Sequence, residues 1–156
     1  MILTTHALVG AALGKNIPNV WILIPASIII HFVLDTFRHG EYVEIFDKKI
    51  SSGNIWWKVG FDISATVIFL LLFIFFGKLD LLQIRNVMLG SFFSAFPDLL
   101  TVIYWKFKFE FLAPVYRFHS WVHKYPKGAK EREWTLRNGV NDILFSLAAI
   151  IIFIIF

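Results

Sequence analysis

Long apolar stretches dominate this chain, and ionisable groups are set into or against them. The stretches are Val20–Phe37 with Pro25 as a kink, Phe61–Phe76, Leu81–Trp105 and Gly139–Phe156, preceded by an apolar Met1–Gly14. A run of about 20 apolar residues is what a helix needs to cross the hydrocarbon of a bilayer. Apolar residues make up 58% of the 156 and mean hydropathy is +0.69, above the range of a water-soluble domain. Eighteen phenylalanines and six tryptophans suit lipid contact and interfacial anchoring, with Trp56-Trp57 the clearest anchor. The expectation is an all-α integral membrane bundle of about five helices, with 1–156 a single membrane-embedded domain. Met1–Gly14 has no basic n-region and does not read as a signal peptide. Cysteine is absent, which removes disulfides and thiolate metal sites.

His31-Phe-Val-Leu-Asp35-Thr-Phe-Arg-His39 ends the Val20–Phe37 run with a metal-capable side chain at every fourth residue. Four helical residues turn about 400° and climb about 6 Å, so His31 and Asp35 share a face and can reach one ion. His39, about 80° further round, would reach a second ion or the rim. A simple His–Asp hydrogen bond at a helix end is the alternative. Upstream, His6, Gly10 and Gly14 share a face beside Ala7 and Ala11, small enough for another helix to approach closely. His6 then points into the bundle, or else sits at the membrane surface. Lys15–Asn19 with Pro18 reads as a turn, which brings His6 and His31 to similar depth on antiparallel helices.

Arg38–Gly60 reads as a polar connection with Ser51-Ser-Gly-Asn54 as its loop core. Asp62 then opens the next span, where it either caps that helix or orients an attacking water. Gly77–Asp80 is a tight connection. Gly90, Ser94 and Asp98 share a face of the following helix, and Pro97 interrupts the backbone just before the carboxylate. Ionisable groups in such a setting mark function. In the long connection Lys106–Asn138, His119-Ser-Trp-Val-His123 sets two imidazoles four apart, without the intervening Glu of a metalloprotease motif. Asn138 reads as the N-cap of the last helix, with Asn141 and Asp142 in its first turn as further capping groups.

Charge gives an orientation. With the first two helices as a hairpin, one side carries Arg38, Lys48, Lys49, Lys58, Lys106, Lys108, Arg117, Lys124, Lys127, Lys130, Arg132 and Arg137, twelve against Lys15, Lys78 and Arg85. The positive-inside rule makes the richer side cytoplasmic. His6, His31, Asp35, His39, Asp62, Asp98, His119 and His123 collect near that side without having entered the count. The basic cluster between Lys106 and Arg137 suits an anionic membrane surface rather than nucleic acid.

An Asp inside a span costs on the order of 3 kcal/mol near the centre. Several carboxylates and imidazoles gathered together call for a cation. Mixed His/Asp ligation without sulfur fits zinc best, then iron or manganese. The donor set exceeds what one zinc uses, so roughly one to three ions are expected. A pair of ions lowers the pKa of bound water and clamps both oxygens of a phosphoryl displacement.

Thr5-His6, His31-Phe-Val-Leu-Asp35 followed by His39-Gly-Glu41, Pro97-Asp98, and His119 to His123 resemble, in this order, the inner-membrane metal-dependent hydrolases. That family is in turn similar to the helical zinc-dependent phospholipase C superfamily. The resemblance implies a helical membrane bundle with a metal centre and hydrolase activity. It carries over His6, His31, Asp35, Asp98, His119 and His123 as ligands and, less directly, His39 and Asp62. Leu99 and Leu100 stand where many relatives have Asp and His, and Ser120 where many have Arg, which bears on the metal count and on turnover. The expected function is a multi-pass inner-membrane hydrolase of phosphoesters or lipid headgroups, using metal-activated water on the cytoplasmic side. A metal-binding or transporting protein without hydrolysis is the rival, and a scaffold in which polar groups only glue helices is a third reading.

Overall fold

A computed structural model describes residues 1–40, 53–123 and 135–156, with backbone only for 53–56. The anchor Trp56, Glu41 of the resemblance, the Ser51-Ser52 part of the loop core, and Lys48, Lys49, Lys124, Lys127, Lys130 and Arg132 of the charge count therefore fall outside what is described of side chains. The described residues form α1 (Leu3–Asn16), α2 (Val20–Asp35), α3 (Gly53–Phe76), α4 (Leu81–Phe107), a single 3-10 turn at Glu110–Leu112, α5 (Ala113–Val122) and α6 (Leu136–Ile155), with no strand among them. That is six helices where about five were expected. The additional one is α5, inside the segment read as a polar connection. Its start is marked by Pro114, whose missing N–H costs nothing in a first helical turn.

Three helices are long and apolar enough to cross a membrane: Trp57–Phe76, Leu81–Phe107 and Leu136–Ile155. The Val20–Phe37 stretch is not among them. Its helix stops at Asp35, where the Thr36 hydroxyl turns back onto the Val33 carbonyl, and its 16 residues reach only about 24 Å. Of the first hairpin, α1 is buried among α3, α4 and α6, while the short α2 packs on α4 and leaves Trp21, Ile22, Ile29 and Val33 exposed. Two further boundaries move. Residues 53–60 belong to α3 rather than to the preceding connection, so Asp62 lies more than two turns inside the helix it was expected to open. The N-cap of α6 is Thr135, whose side chain accepts from Asn138 N–H, so Asn138 is a first-turn residue and Asn141 and Asp142 lie in the second turn.

Packing centres on α1, whose closest partner is α4. An ideal Cβ built on Gly10 would lie 2.2 Å from the Gly90 carbonyl oxygen, and one on Gly14 would lie 2.2 Å from the Asn86 oxygen. The small face of α1 is what lets the two backbones touch. At the far end of the bundle Leu8, Ala11, Ala12, Phe73, Val87, Ala149 and Phe153 form the apolar core, with Phe73 and Phe153 stacked at 3.8 Å. Lys15 closes that end by donating to the Phe153 carbonyl at 2.5 Å.

The other half is built the opposite way. His6, Ser27, His31, Asp35, Ser94 and Asn138 are buried, while Phe61, Leu99, Phe118 and Trp121 are exposed. A polar centre under an apolar surface is what lipid, not water, selects.

The N-terminus of α1 explains two of the buried acids. Ile2 supplies no side-chain cap, and α1 has no acid in its first turn. Asp62 on α3 instead accepts from Leu3 N–H at 2.8 Å and Thr4 N–H at 3.1 Å, and closely from the Thr4 hydroxyl. Asp142 on α6 accepts from Ile2 N–H at 3.0 Å. In hydrocarbon the free amides of a helix end need such partners, and here two other helices supply them.

Candidate metal centre

Asp35, in the last turn of α2, is the hub. Its side chain is fully buried, and four imidazoles aim Nε2 at it: His6 at 3.2 Å from Oδ1, then His31, His119 and His123 at 3.0, 2.9 and 3.6 Å from Oδ2. His31 comes from the same helix face, one turn earlier, as the four-residue spacing requires. His6 arrives from α1 with its ring stacked on His31 at 4.1 Å, so the hairpin does set the two at one depth. His119 is the last-turn histidine of α5, and His123 is that helix's C-cap residue rather than part of it. Met1 N also donates to Asp35 Oδ1, at 2.6 Å.

Asp98 completes the group from α4. Its carboxylate lies 3.9 Å from His31 Nε2, 3.6 Å from His119 Nε2 and 3.9 Å from His6 Nε2, and it is the open edge, with the side chain 34% exposed. His31, Asp35, Asp98 and His119 each offer an atom within 4.8 Å of all the others, and Asp35, His39 and His123 form an adjoining set by the same measure. Either group could hold a metal ion. Asp62 and His6 belong to neither set among the described residues: Asp62 is engaged with α1, and the expected ligand His6 meets Asp35 from beside the two groups.

The hydrogen-bond network fixes which ring nitrogens carry protons. His31 Nδ1 donates to the Ser94 carbonyl at 2.7 Å. The Thr101 hydroxyl donates to the Pro97 carbonyl at 3.0 Å, so it accepts from His119 Nδ1, at 2.6 Å. In the neutral rings both Nε2 atoms are then lone-pair acceptors. They lie 3.3 Å apart, and each faces the same carboxylate oxygen. Protonating both would instead set two N–H groups against each other at that distance. A single added proton, carried on one Nε2 and shared with Asp35 Oδ2, or a bound cation relieves the facing lone pairs. Tetrahedral ligands with bonds of about 2.05 Å are separated by roughly 3.3 Å, so the 2.9, 3.0 and 3.3 Å separations and the 3.6 and 3.9 Å separations to Asp98 bracket that spacing.

Sequence reasoning missed Thr101 and the Ser94 carbonyl. Thr101 was findable as a hydroxyl in a span, seven residues after Ser94 and so on nearly the same face of α4. A carbonyl leaves no mark in sequence. Asp142, expected to cap its own helix, caps α1 instead.

Comparison with family models, curated proteins and solved structures gives no match to this chain.

Proposed function

We propose that this protein is a membrane-embedded, metal-dependent hydrolase of phosphoesters. The observation that carries the reading is the convergence of His31 Nε2, His119 Nε2 and Asp35 Oδ2, each within 3.3 Å of the others, beside a second carboxylate. His31, Asp35, Asp98 and His119 hold the first ion; His39 and His123, with Asp35 in common, hold a second. His/Asp donors without sulfur favour zinc. Such an ion supplies a Lewis acid and makes water nucleophilic near neutral pH.

The chain's own groups do the rest. Asp98, the half-buried carboxylate at the open edge, keeps one oxygen for the ion and takes the proton of the attacking water on the other. Arg38 follows Asp35 by three residues, its Nε donating to Asn138 at 2.7 Å and its carbonyl held by Asn141 at 2.6 Å. On α4, Asp98 lies about 14 Å from the Phe107 end and about 26 Å from Leu81, a depth that suits a substrate held in the bilayer near its headgroup region.

Metal analysis of protein purified in mild detergent, beside turnover of a chromogenic phosphodiester and labelled phospholipids, tests the reading. Bound divalent metal and cleavage are expected together. Metal without cleavage supports a binding or transport protein, and absence of metal ends the enzyme reading. The charge bias puts the site on the cytoplasmic side. A reporter fused after Phe156 should therefore read as external, and an internal signal would move the site to the opposite face.

A further inference from the structure

Where α4 turns into α5, exposed aromatic rings alternate with exposed charges. Lys106, Phe107, Lys108, Phe109, Glu110 and Phe111 follow one another, all exposed. Lys108, at φ 56°, ends α4 in a left-handed cap. Around it the rings of Phe107, Phe109 and Phe111 form one row, nearly parallel and 5.6 and 5.7 Å apart. Lys106 Nζ leans over the Phe107 ring and Lys108 Nζ over Tyr104, each 5.3 Å from the centroid. On α5, Arg117 is exposed next to Phe118, whose ring lies 5.9 Å from that of Trp121. None of the three cations forms an ion pair among the described residues.

Helix length gives this corner a depth. The 27 residues of α4 span about 40 Å, against about 30 Å of hydrocarbon and about 40–45 Å of bilayer with its headgroup layers. With Leu81 at one hydrocarbon edge, about 20 residues reach the other near Thr101, and the last turn and a half of α4 enters the headgroup layer. There α5 doubles back along α4: Tyr116 packs on Tyr104 at 4.7 Å, and His119 Nδ1 donates to Thr101 at 2.6 Å. Ala113, His119 and Val122 are buried against the protein, while Phe118 and Trp121 are exposed. An exposed apolar cluster of this kind marks a contact, and the headgroup layer is where rings and long cationic side chains are both accommodated.

We propose that the corner from Lys106 to Phe111, with Arg117, is a binding surface for anionic lipid headgroups. The row of rings enters the upper part of the bilayer, and the three cations, opposed within the corner by Glu110 alone, meet headgroups of net negative charge. The proposal rests on α4 crossing the bilayer and not on the metal centre.

Two measurements on the full chain in vesicles of phosphatidylcholine with phosphatidylglycerol test it. The chain has no cysteine, so Phe111→Cys carries a single nitroxide label. The label should collide with oxygen from the bilayer and be shielded from a nickel chelate in the water. Free collision with the chelate would put the corner in water, and shielding from both would put it under protein; either overturns the proposal. For lipid choice, spin-labelled phosphatidylglycerol should associate with the protein in preference to spin-labelled phosphatidylcholine. Lys106→Gln, Lys108→Gln and Arg117→Gln should each lower that preference by up to about 5-fold, and the triple variant should bring it towards parity. Lys78→Gln, exposed at the opposite end of α4, should leave it unchanged. A wild type without preference, a preference that survives the triple variant, or an equal fall with Lys78→Gln overturns the assignment. Neither readout involves bound metal, so failure of the metal-centre reading leaves both measurements decisive.

Discussion

Asp35→Asn is expected to strip the protein of its divalent ion and of its turnover together, with helical content unchanged. Asparagine keeps the shape but has a single neutral acceptor, whereas Asp35 uses both oxygens towards four imidazoles. Loss of an outer-shell group at a metal site costs about 10–100-fold in affinity or activity. Removing the carboxylate common to both candidate groups should cost more than that, and metal content with phosphodiester turnover measures both. Asp62→Asn is the control that discriminates. Asp62 holds the α1 N-terminus through Leu3, Thr4 and the Thr4 hydroxyl, so its loss should cost about 1–2 kcal/mol of stability and leave bound metal in place. If Asp62→Asn keeps the metal and the fold yet loses turnover, Asp62 does orient the attacking water after all. If Asp35→Asn keeps metal and turnover, the hub assignment fails.

The parts of the site legible in sequence are those that depend on helical period alone. His31 with Asp35, the small face from His6 to Gly14, and Gly90 with Ser94 and Asp98 are each fixed by steps of four, and a helix turns such a step into a shared face whatever its neighbours do. The pairing of His6 with His31 was legible too, because a five-residue turn leaves two antiparallel helices little freedom of register.

What was not legible depends on partners far along the chain. A local N-cap is recognised from its own helix, but Asp62 and Asp142 cap α1 from 59 and 140 residues away. No spacing rule carries that pairing, and each acid accordingly read as a cap for the helix it sits on. Helix ends went astray for a related reason. Polarity suggested that residues 53–60 and 113–122 were connections, yet both are helical, and α5 turns His119 inward to the cluster. His119 and Val122 are buried while Phe118 and Trp121 are exposed on α5, an amphipathic pattern that composition alone averages away.

Gly10→Ala should destabilise the bundle by about 2–3 kcal/mol, against the sign that helix propensity alone dictates. In an open helix the exchange is worth roughly 1 kcal/mol in favour of alanine. Here the new Cβ would lie 2.2 Å from the Gly90 carbonyl oxygen and 2.6 Å from its carbon, backbone atoms that no rotamer change can move. The same obstacle exists in reverse, since a Cβ on Gly90 would lie 2.1 Å from the Gly10 oxygen. Relief requires α1 and α4 to part by roughly 1 Å, and close backbone approach is what drives helix association in lipid. Parting also draws His6 on α1 away from Asp98 on α4, whose nearest atoms are 3.9 Å apart. Gly60→Ala and Gly139→Ala serve as controls, because a Cβ at either meets nothing within 4 Å. They should leave stability unchanged or raise it by up to about 1 kcal/mol in the same detergent unfolding titration. A Gly10→Ala protein as stable as those controls would mean that the α1–α4 crossing is looser than described, and with it the placement of His6 beside Asp35 would fall.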